Sequence, residues 1–588
     1  MKRIIFLIFL PLFLYGQIKS GYEIFVSPGG NDNNNGSEKK PFKTIERAKE
    51  YIKSLKSQNG DIIVYLRGGE YYLNKTVVFK SEDSGKNGFF VIYKAYKDEK
   101  PVISGGVEVK GWEKYKDGIY RAKFNGEVFR QLYVNGKKAI RARDPEKGTY
   151  YRLKFWDYKY SDVIVDVNQV AKIKNIDKVE MIPHLHWAEQ VLHLASIDKI
   201  KEFAYIKFKE PAQEMIFKRD YPIKAENESY HFENALEFLD TEGEWFFDEN
   251  EKYIYYKPYL YEDISKSKVI VPQLETLIKV EGNIENPVKN LVFYGITFAH
   301  SNWNLPSKTS VCFAQAGQYT HKLIAPNEQY FKKPESAIQV DYAQNIKFER
   351  NIFKFLGSTG LDFFKGVSNS SIIGNIFYQI SGNGISLGTF SGPDEHQSVM
   401  YNPKDEREGC SNDTISNNVV TEVCHDYINA CGITVGYARG MVIKHNEVYN
   451  LPYTGISVGW GWEDKPNFMK NNTIQWNHIY DVMKILCDGG GIYTLSRQPE
   501  SDISYNFIHD ISKSIWAIGA PNNGIFFDQG SSGFTIYKNV FKDIPAGNTR
   551  HNMTGKLNYI ENEYYDEEVM TKAGLGEKYK DIKKFFEK

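Results

Sequence analysis

The sequence predicts an all-β chain: a right-handed parallel β-helix with an inserted antiparallel β domain and a short N-terminal capping helix. Three observations predict it. From Asn290 onward one unit recurs, a strand, a small turn and a second strand ending in Asn plus an apolar residue. Asn351, Asn375, Asn418, Asn446, Asn477, Asn506 and Asn539 mark its copies at spacings of 24, 43, 28, 31, 29 and 33 residues. A base period in the twenties, with insertions at one place per turn, is the pattern of coils that stack on their neighbours. The chain is also long for one core at 588 residues, which favours an architecture that extends without a single centre. Aromatic residues make up 15% of it, with 41 Tyr and 37 Phe, many in alternating runs that suit pleated surfaces and stacking on sugar rings.

Taken in order, residues 1–16 read as a secretory signal: Lys2-Arg3, an apolar run from Ile4 to Tyr15 and Gly16-Gln17. The run is too short to span a bilayer. It predicts an exported protein, secreted or periplasmic, with no membrane span. Residues 17–106 begin the β-helix. Ile24-Phe25-Val26-Ser27 is a strand, and Pro41-Phe42-Lys43-Thr44 leads into a helix with Ile45, Ala48, Ile52 and Leu55 on one face, the plug that an open solenoid end needs. Residues 107–267 change rhythm. Gln131 to Ala139 is a hairpin about an Asn-Gly turn, and further alternating strands make this an inserted, β-sandwich-like domain. Residues 268–560 form the main β-helix and 561–588 a C-terminal tail. The gap of 43 residues holds one long insertion, about Gly392 to Ser411.

Stacking the copies places residues on faces. Ile338, Leu361, Ile385, Ile433, Ile456, Ile492 and Ile525 fill one inward column, so strand alternation turns Gln339, Asp362, Ser386, Thr434, Ser457, Tyr493 and Phe526 outward. This outer face, polar in its middle, reads as a trough able to hold an extended chain of sugars. The Asn series at the turns reads as a structural hydrogen-bonded ladder.

Two acids stand beside that face, Asp488 before the strand Gly490 to Leu495 and Asp528 at the end of the strand from Gly524. Glycosidic cleavage needs two carboxyl groups, one to protonate the leaving oxygen and one to attack or activate water. Their separation of 40 residues puts them on adjacent turns, close together if Gly489-Gly490-Gly491 folds the chain back. The plain alternative is a turn residue before glycines and a strand-end carboxylate. Trp460 and Trp462 offer stacking surfaces for a pyranose or pack under a loop; Trp303 and His300 rim the groove or pack. His425 positions a hydroxyl or sits in an ordinary turn with Asp426. Asp362 and Tyr493 face the trough as candidate substrate contacts, Asp362 alternatively as a spare carboxylate. His186-Trp187 would reach the cleft only if the inserted domain folds over it.

Charge excludes a class of partner. The 74 basic and 74 acidic residues cancel, leaving no field to recruit nucleic acid. The five cysteines lack CxxC spacing, and no HExxH, EF-hand or P-loop occurs, so no cofactor or metal is expected. Calcium at an acidic loop such as Asp394-Glu395 or Asp405-Glu406 is left without a motif.

CDGGGIYTL at Cys487–Leu495, IFFDQGSSG at Ile525–Gly533, GISVGWGW at Gly455–Trp462 and LDTEGEWFFDENEKYIYY at Leu239–Tyr256 resemble glycoside hydrolase family 141, secreted β-helix enzymes that act as α-L-fucosidases or xylanases. The likeness extends to AGLGEKYKDI at Ala573–Ile582. It implies degradation of a plant or algal polysaccharide or its oligosaccharides, with Asp488 and Asp528 as the catalytic pair. The inserted domain is also similar to family 120 β-xylosidases, whose acid pair is more closely spaced. Outside that resemblance two classes stay open. A β-helix polysaccharide lyase would use Lys or Arg, for which Lys365, Arg439 and Arg497 are the basic residues near the groove. A non-catalytic carbohydrate-binding β-helix would need the trough alone.

Overall fold

The computed structural model describes residues 20–392, 396–397, 399–560, 562 and 565–587. The signal segment and the Asp394-Glu395 loop lie outside them. The chain winds as a parallel β-helix. A 23-stranded sheet wraps two faces and a 10-stranded sheet forms the third, with long strands such as Ser336–Glu349 turning the corner between the first two.

The expected inward column is in register from coil to coil: Ile338 pairs with Leu361, then Ile385, Ile433, Ile456, Ile492 and Ile525. All seven are fully buried. Their outward neighbours are in register too, from Gln339 to Phe526.

The corner between the second and third faces shows how local chemistry sets the coil. The residue before each ladder Asn has a left-handed backbone: Arg350, Gly374, Asn417, His445, Trp476, Tyr505 and Lys538 have φ between 47° and 65°. Such a conformation costs a side-chain-bearing residue about 1–2 kcal/mol, and it turns the chain sharply. The next Asn offsets that cost. Asn418 Nδ2 donates to Asn446 Oδ1 at 2.9 Å and to the Ile372 carbonyl at 2.9 Å, and Asn418 N–H donates to the same Asn446 oxygen at 3.1 Å. The pattern repeats from Asn351 to Asn539 and ends on Asn562. Each net hydrogen bond contributes about 1 kcal/mol, so the ladder closes the corner with its buried polar groups satisfied.

At the N-terminal end Ile45–Ser54 is a helix capped by Thr44, whose side chain accepts from Arg47 N–H. Ile45 and Ala48 are buried against the first coil. Residues 106–272 carry antiparallel sheets, including the hairpin 133–138 with left-handed Asn135 and Gly136 at its turn. One long strand, Ala188–Ile200, leaves this region and pairs with Val311–Phe313 of the helix. The C-terminal tail lies along the second and third faces, with Arg350 bonded to Asp581, Lys583 to Glu447 and Tyr579 to Glu349. Among the described residues all five cysteines are free and buried, and no helix is long and apolar enough to cross a membrane.

The outward face differs from the open trough expected of it. Ser386, Thr434 and Phe526 are fully buried and Asp362, Ser457 and Tyr493 nearly so. The cover is an antiparallel roof, Val311–Phe313, Tyr319–Leu323 and Gln329–Lys332, held down by Phe331 against Trp460 and by Lys333 on Asp362. Strand alternation decides which way a side chain points but not what another segment lays over it.

Candidate active site

The third face connects to the first through loops of variable length, and Asp488 ends one of them. Its backbone is left-handed, φ 61°, and Gly489 follows in a space with no room for a side chain. A Cβ there would lie 2.5 Å from Thr454 Oγ1 and 2.8 Å from the Met483 methyl. The glycine lets the chain fold back close to the preceding coil, and the Asp488 carbonyl accepts from the Tyr453 hydroxyl at 3.0 Å. Asp488 Oδ1 accepts from Arg550 Nη1 at 2.7 Å. Arg550 itself spreads over the Phe526 ring, 4.2 Å from its centre, and occupies the next outward position after Phe526.

Asp528 follows the strand Asn523–Phe527 and is 8% exposed. One oxygen accepts from the Tyr493 hydroxyl, the other from Asn552 Nδ2 at 2.7 Å. The Tyr493 hydroxyl also lies 3.5 Å from Gln315 Oε1, and Gln315 Nε2 donates to the Tyr453 hydroxyl at 3.2 Å. Roof, front sheet and both acid-bearing segments are thus joined by one polar chain.

Both acids are pushed upward by burial, against different partners. Burial raises the Asp488 carboxyl above the ordinary range, opposed by the charge and hydrogen bond of Arg550. Burial also raises Asp528, opposed by hydrogen bonds from Tyr493 and Asn552 and reinforced by the negative charge of Asp488. One acid therefore has a formal cation beside it. The other has neutral donors and a like charge.

The other residues singled out from the sequence do not all gather here. Tyr493 does, as the donor to Asp528. Trp460 is buried, edge-on to Phe390, Phe331 and Trp462, so of the pair only the partly exposed Trp462 retains accessible surface. Asp362 points outward as expected but is closed under the roof in an ion pair with Lys333 at 2.6 Å, which removes it from contact with a substrate. Trp303 is fully buried, donates to Glu335 at 2.9 Å and packs on Phe313, Tyr319 and Tyr427; it anchors the roof rather than rimming a groove. His300 is likewise buried, bonded to Ser104 at 2.9 Å. His425 lines a cavity of about 480 Å³ between the inserted region and the coil loops, whose walls include neither Asp488 nor Asp528. Lys365 and Arg439 are paired with Glu408 and Glu406.

Sequence reasoning missed Arg550, Asn552, Tyr453 and Gln315. Extending the outward column by one coil would have found Arg550, because Phe526 and Arg550 are register partners. Gln315 carries no periodic signal. The inserted region does reach the site: Cys487 N–H, next to Asp488, donates to the His186 carbonyl at 2.9 Å, and the His186 ring packs over Gly519. Among the described residues no three His, Cys, Asp or Glu side chains are grouped to hold a metal ion; Asp405 and Glu406 are engaged by Arg407 and Arg439.

A family profile described as the GH141 insertion domain matches residues 120–259. The chain is similar to a solved structure described as a glycoside hydrolase, with 32% identity, coverage of 95% of this chain and 100% of that one, and a TM-score of 0.91. It is also similar to a structure described as the complex of XylC with xylose, at 12% identity over 90% of this chain and 70% of that one and a TM-score of 0.48, too distant to bear on substrate. Among curated proteins, the uncharacterized protein YwoF of Bacillus subtilis (strain 168) is 34% identical over 98 residues, 16% of this chain and 19% of that one. The end-to-end match to a glycoside hydrolase and the matched insertion domain lead to one conclusion: this chain is a glycoside hydrolase, similar to family 141.

Proposed function

We propose that this glycoside hydrolase acts outside the cytoplasm, using Asp488 and Asp528 as its carboxyl pair to remove terminal sugars, with an α-L-fucoside as the first substrate to test. The observation that carries the reading is the site itself. Two acidic residues on adjacent coils are joined through Tyr453, Gln315 and Tyr493, with Arg550 on one and Tyr493 and Asn552 on the other. Asp488, ionised beside Arg550, is the nucleophile or the base that activates water. Asp528, whose carboxyl burial and the charge of Asp488 push upward against the hydrogen bonds of Tyr493 and Asn552, is the acid that gives its proton to the leaving oxygen. The partly exposed side of Trp462 supplies apolar surface to a pyranose.

End-directed action follows from the roof. An endo-acting enzyme needs an open groove on both sides of the scissile bond, whereas the front face from Asp362 to Phe526 is covered. This favours the fucosidase alternative over an internally cutting xylanase.

The test is turnover of aryl α-L-fucoside, aryl β-xyloside and xylan by the wild type, Asp488→Asn and Asp528→Asn. Each variant is expected to lose about two to four orders of magnitude in kcat while keeping the wild-type circular dichroism spectrum. Near-normal activity in either would remove that residue from the mechanism. Shortened xylan chains without monosaccharide release would overturn end-directed action.

A further inference from the structure

The cavity between the inserted region and the coil loops is built differently from the acid site. Its walls carry Arg130, Lys138, Arg141, Arg143, Lys147 and Lys484 against Glu189, Glu233 and Asp426. Most of these charges are matched: Arg130 and Arg141 grip Glu180, Lys138 holds Asp426 and Lys484 holds Asp481. Two cations are not. Arg143 is buried, spends Nε and Nη2 on the Pro145 and Thr149 carbonyls at 3.0 and 3.2 Å, and forms no ion pair among the described residues. Lys147, at the exposed rim, forms none either.

Some of the lining residues also carry buried polar atoms without a partner. His231 is 5% exposed, with Nε2 against Glu233 at 2.9 Å and Nδ1 without a partner. Gln379 Oε1 and Arg141 Nε, both in the lining, are likewise unpartnered. A buried polar atom without a partner costs about 1–3 kcal/mol, and these three lie within the cavity's wall rather than on its surface. Glu189 is buried with one oxygen accepting from Ile428 N–H at 3.0 Å. Burial pushes its carboxyl well above the usual range. Tyr150 and Trp516 stand edge to face at 5.3 Å as aromatic wall.

We propose that this cavity is a second saccharide site, taking a sugar ring that carries an anionic group, with the anion on Arg143 and Lys147, a hydroxyl on Glu189 and the ring against Trp516. The proposal rests on the reading that the protein acts on glycans, but it does not need Asp488 or Asp528 to be catalytic. The ligand chemistry is a monoanionic pyranose, whether a uronic acid or a sulfate ester. The volume of about 480 Å³ suits a monosaccharide or disaccharide.

The experiment is titration calorimetry of the full chain with methyl glucuronide, galactose 6-sulfate and methyl galactoside. At least one anionic sugar is expected to bind tenfold or more tightly than the neutral one, with affinity falling as salt is raised. The tighter of the two anions tells carboxylate from sulfate. Lys147→Met, at the rim, should lower the anion's affinity at least tenfold, and Arg143→Gln should do the same. Lys147→Met should leave turnover of a neutral aryl glycoside unchanged, and Asp488→Asn should leave anion binding unchanged. Equal affinity for neutral and anionic sugars would overturn the proposal, as would an anion affinity unmoved by Lys147→Met or abolished by Asp488→Asn. An active Asp488→Asn protein that still binds the anion would instead overturn the assignment of the acid pair and leave this site standing.

Discussion

Replacing Arg550 by methionine keeps most of the side-chain volume over Phe526 and deletes the charge that touches Asp488. The Nη1 to Oδ1 distance is 2.7 Å, with the two side chains 25% and 19% exposed. At an effective dielectric of about 20, two unit charges at that distance attract by about 6 kcal/mol. Desolvation and water at the exposed edge leave only part of that. A cation in contact lowers a carboxyl by about 1–3 pKa units, or about 1.4–4 kcal/mol. Arg550 opposes the upward push of burial on Asp488, so its removal raises that pKa further. Asp488 works ionised, so the acidic limb of the kcat/KM profile on an aryl glycoside should move up by about 1–3 pH units. Activity lost at a pH on the old limb should return as pH rises, until the alkaline limb set by Asp528 intervenes. Arg550→Lys, which keeps the charge, should hold the limb near its wild-type position. An acidic limb unmoved in Arg550→Met, or moved downward, would refute the assignment of Asp488 as the ionised partner.

Tyr493→Phe removes a donor that lowers the Asp528 pKa, so the alkaline limb should rise. A hydrogen bond to a charged group contributes about 1.5–3 kcal/mol, or about one to two pH units; a downward shift would contradict the acid role. Lys333→Met leaves the buried Asp362 carboxylate uncompensated and should destabilise by about 3–5 kcal/mol in urea unfolding, with Asp362→Leu added to it restoring much of the loss. A raised KM at unchanged stability would instead return Asp362 to substrate contact. Asn446→Ala breaks the ladder on both sides, stranding Asn418 N–H and the Ile415 carbonyl. It should cost about 2–5 kcal/mol, read as a lower urea midpoint at constant m-value, and a change within about 0.5 kcal/mol would show that the corner does not depend on the ladder.

What was legible in the sequence was whatever repeats. The column from Ile338 to Ile525, its outward neighbours and the Asn ladder were readable because each coil meets the next through the same positions. A repeated contact leaves a period that a single chain reveals. The acids were legible through their short motifs and their placement on successive coils. The sequence by itself thus determined the helix, its faces and which two carboxyl groups stand at the front sheet. Tertiary structure alone decided what covers that sheet and what charge sits beside each acid. Val311–Phe313 pairs with Ala188–Ile200, Lys333 reaches Asp362 through the roof, and Arg550 meets Asp488 across 62 residues. These contacts occur once each, between segments with no shared period, and the long-range packing that makes them leaves no local pattern in the chain.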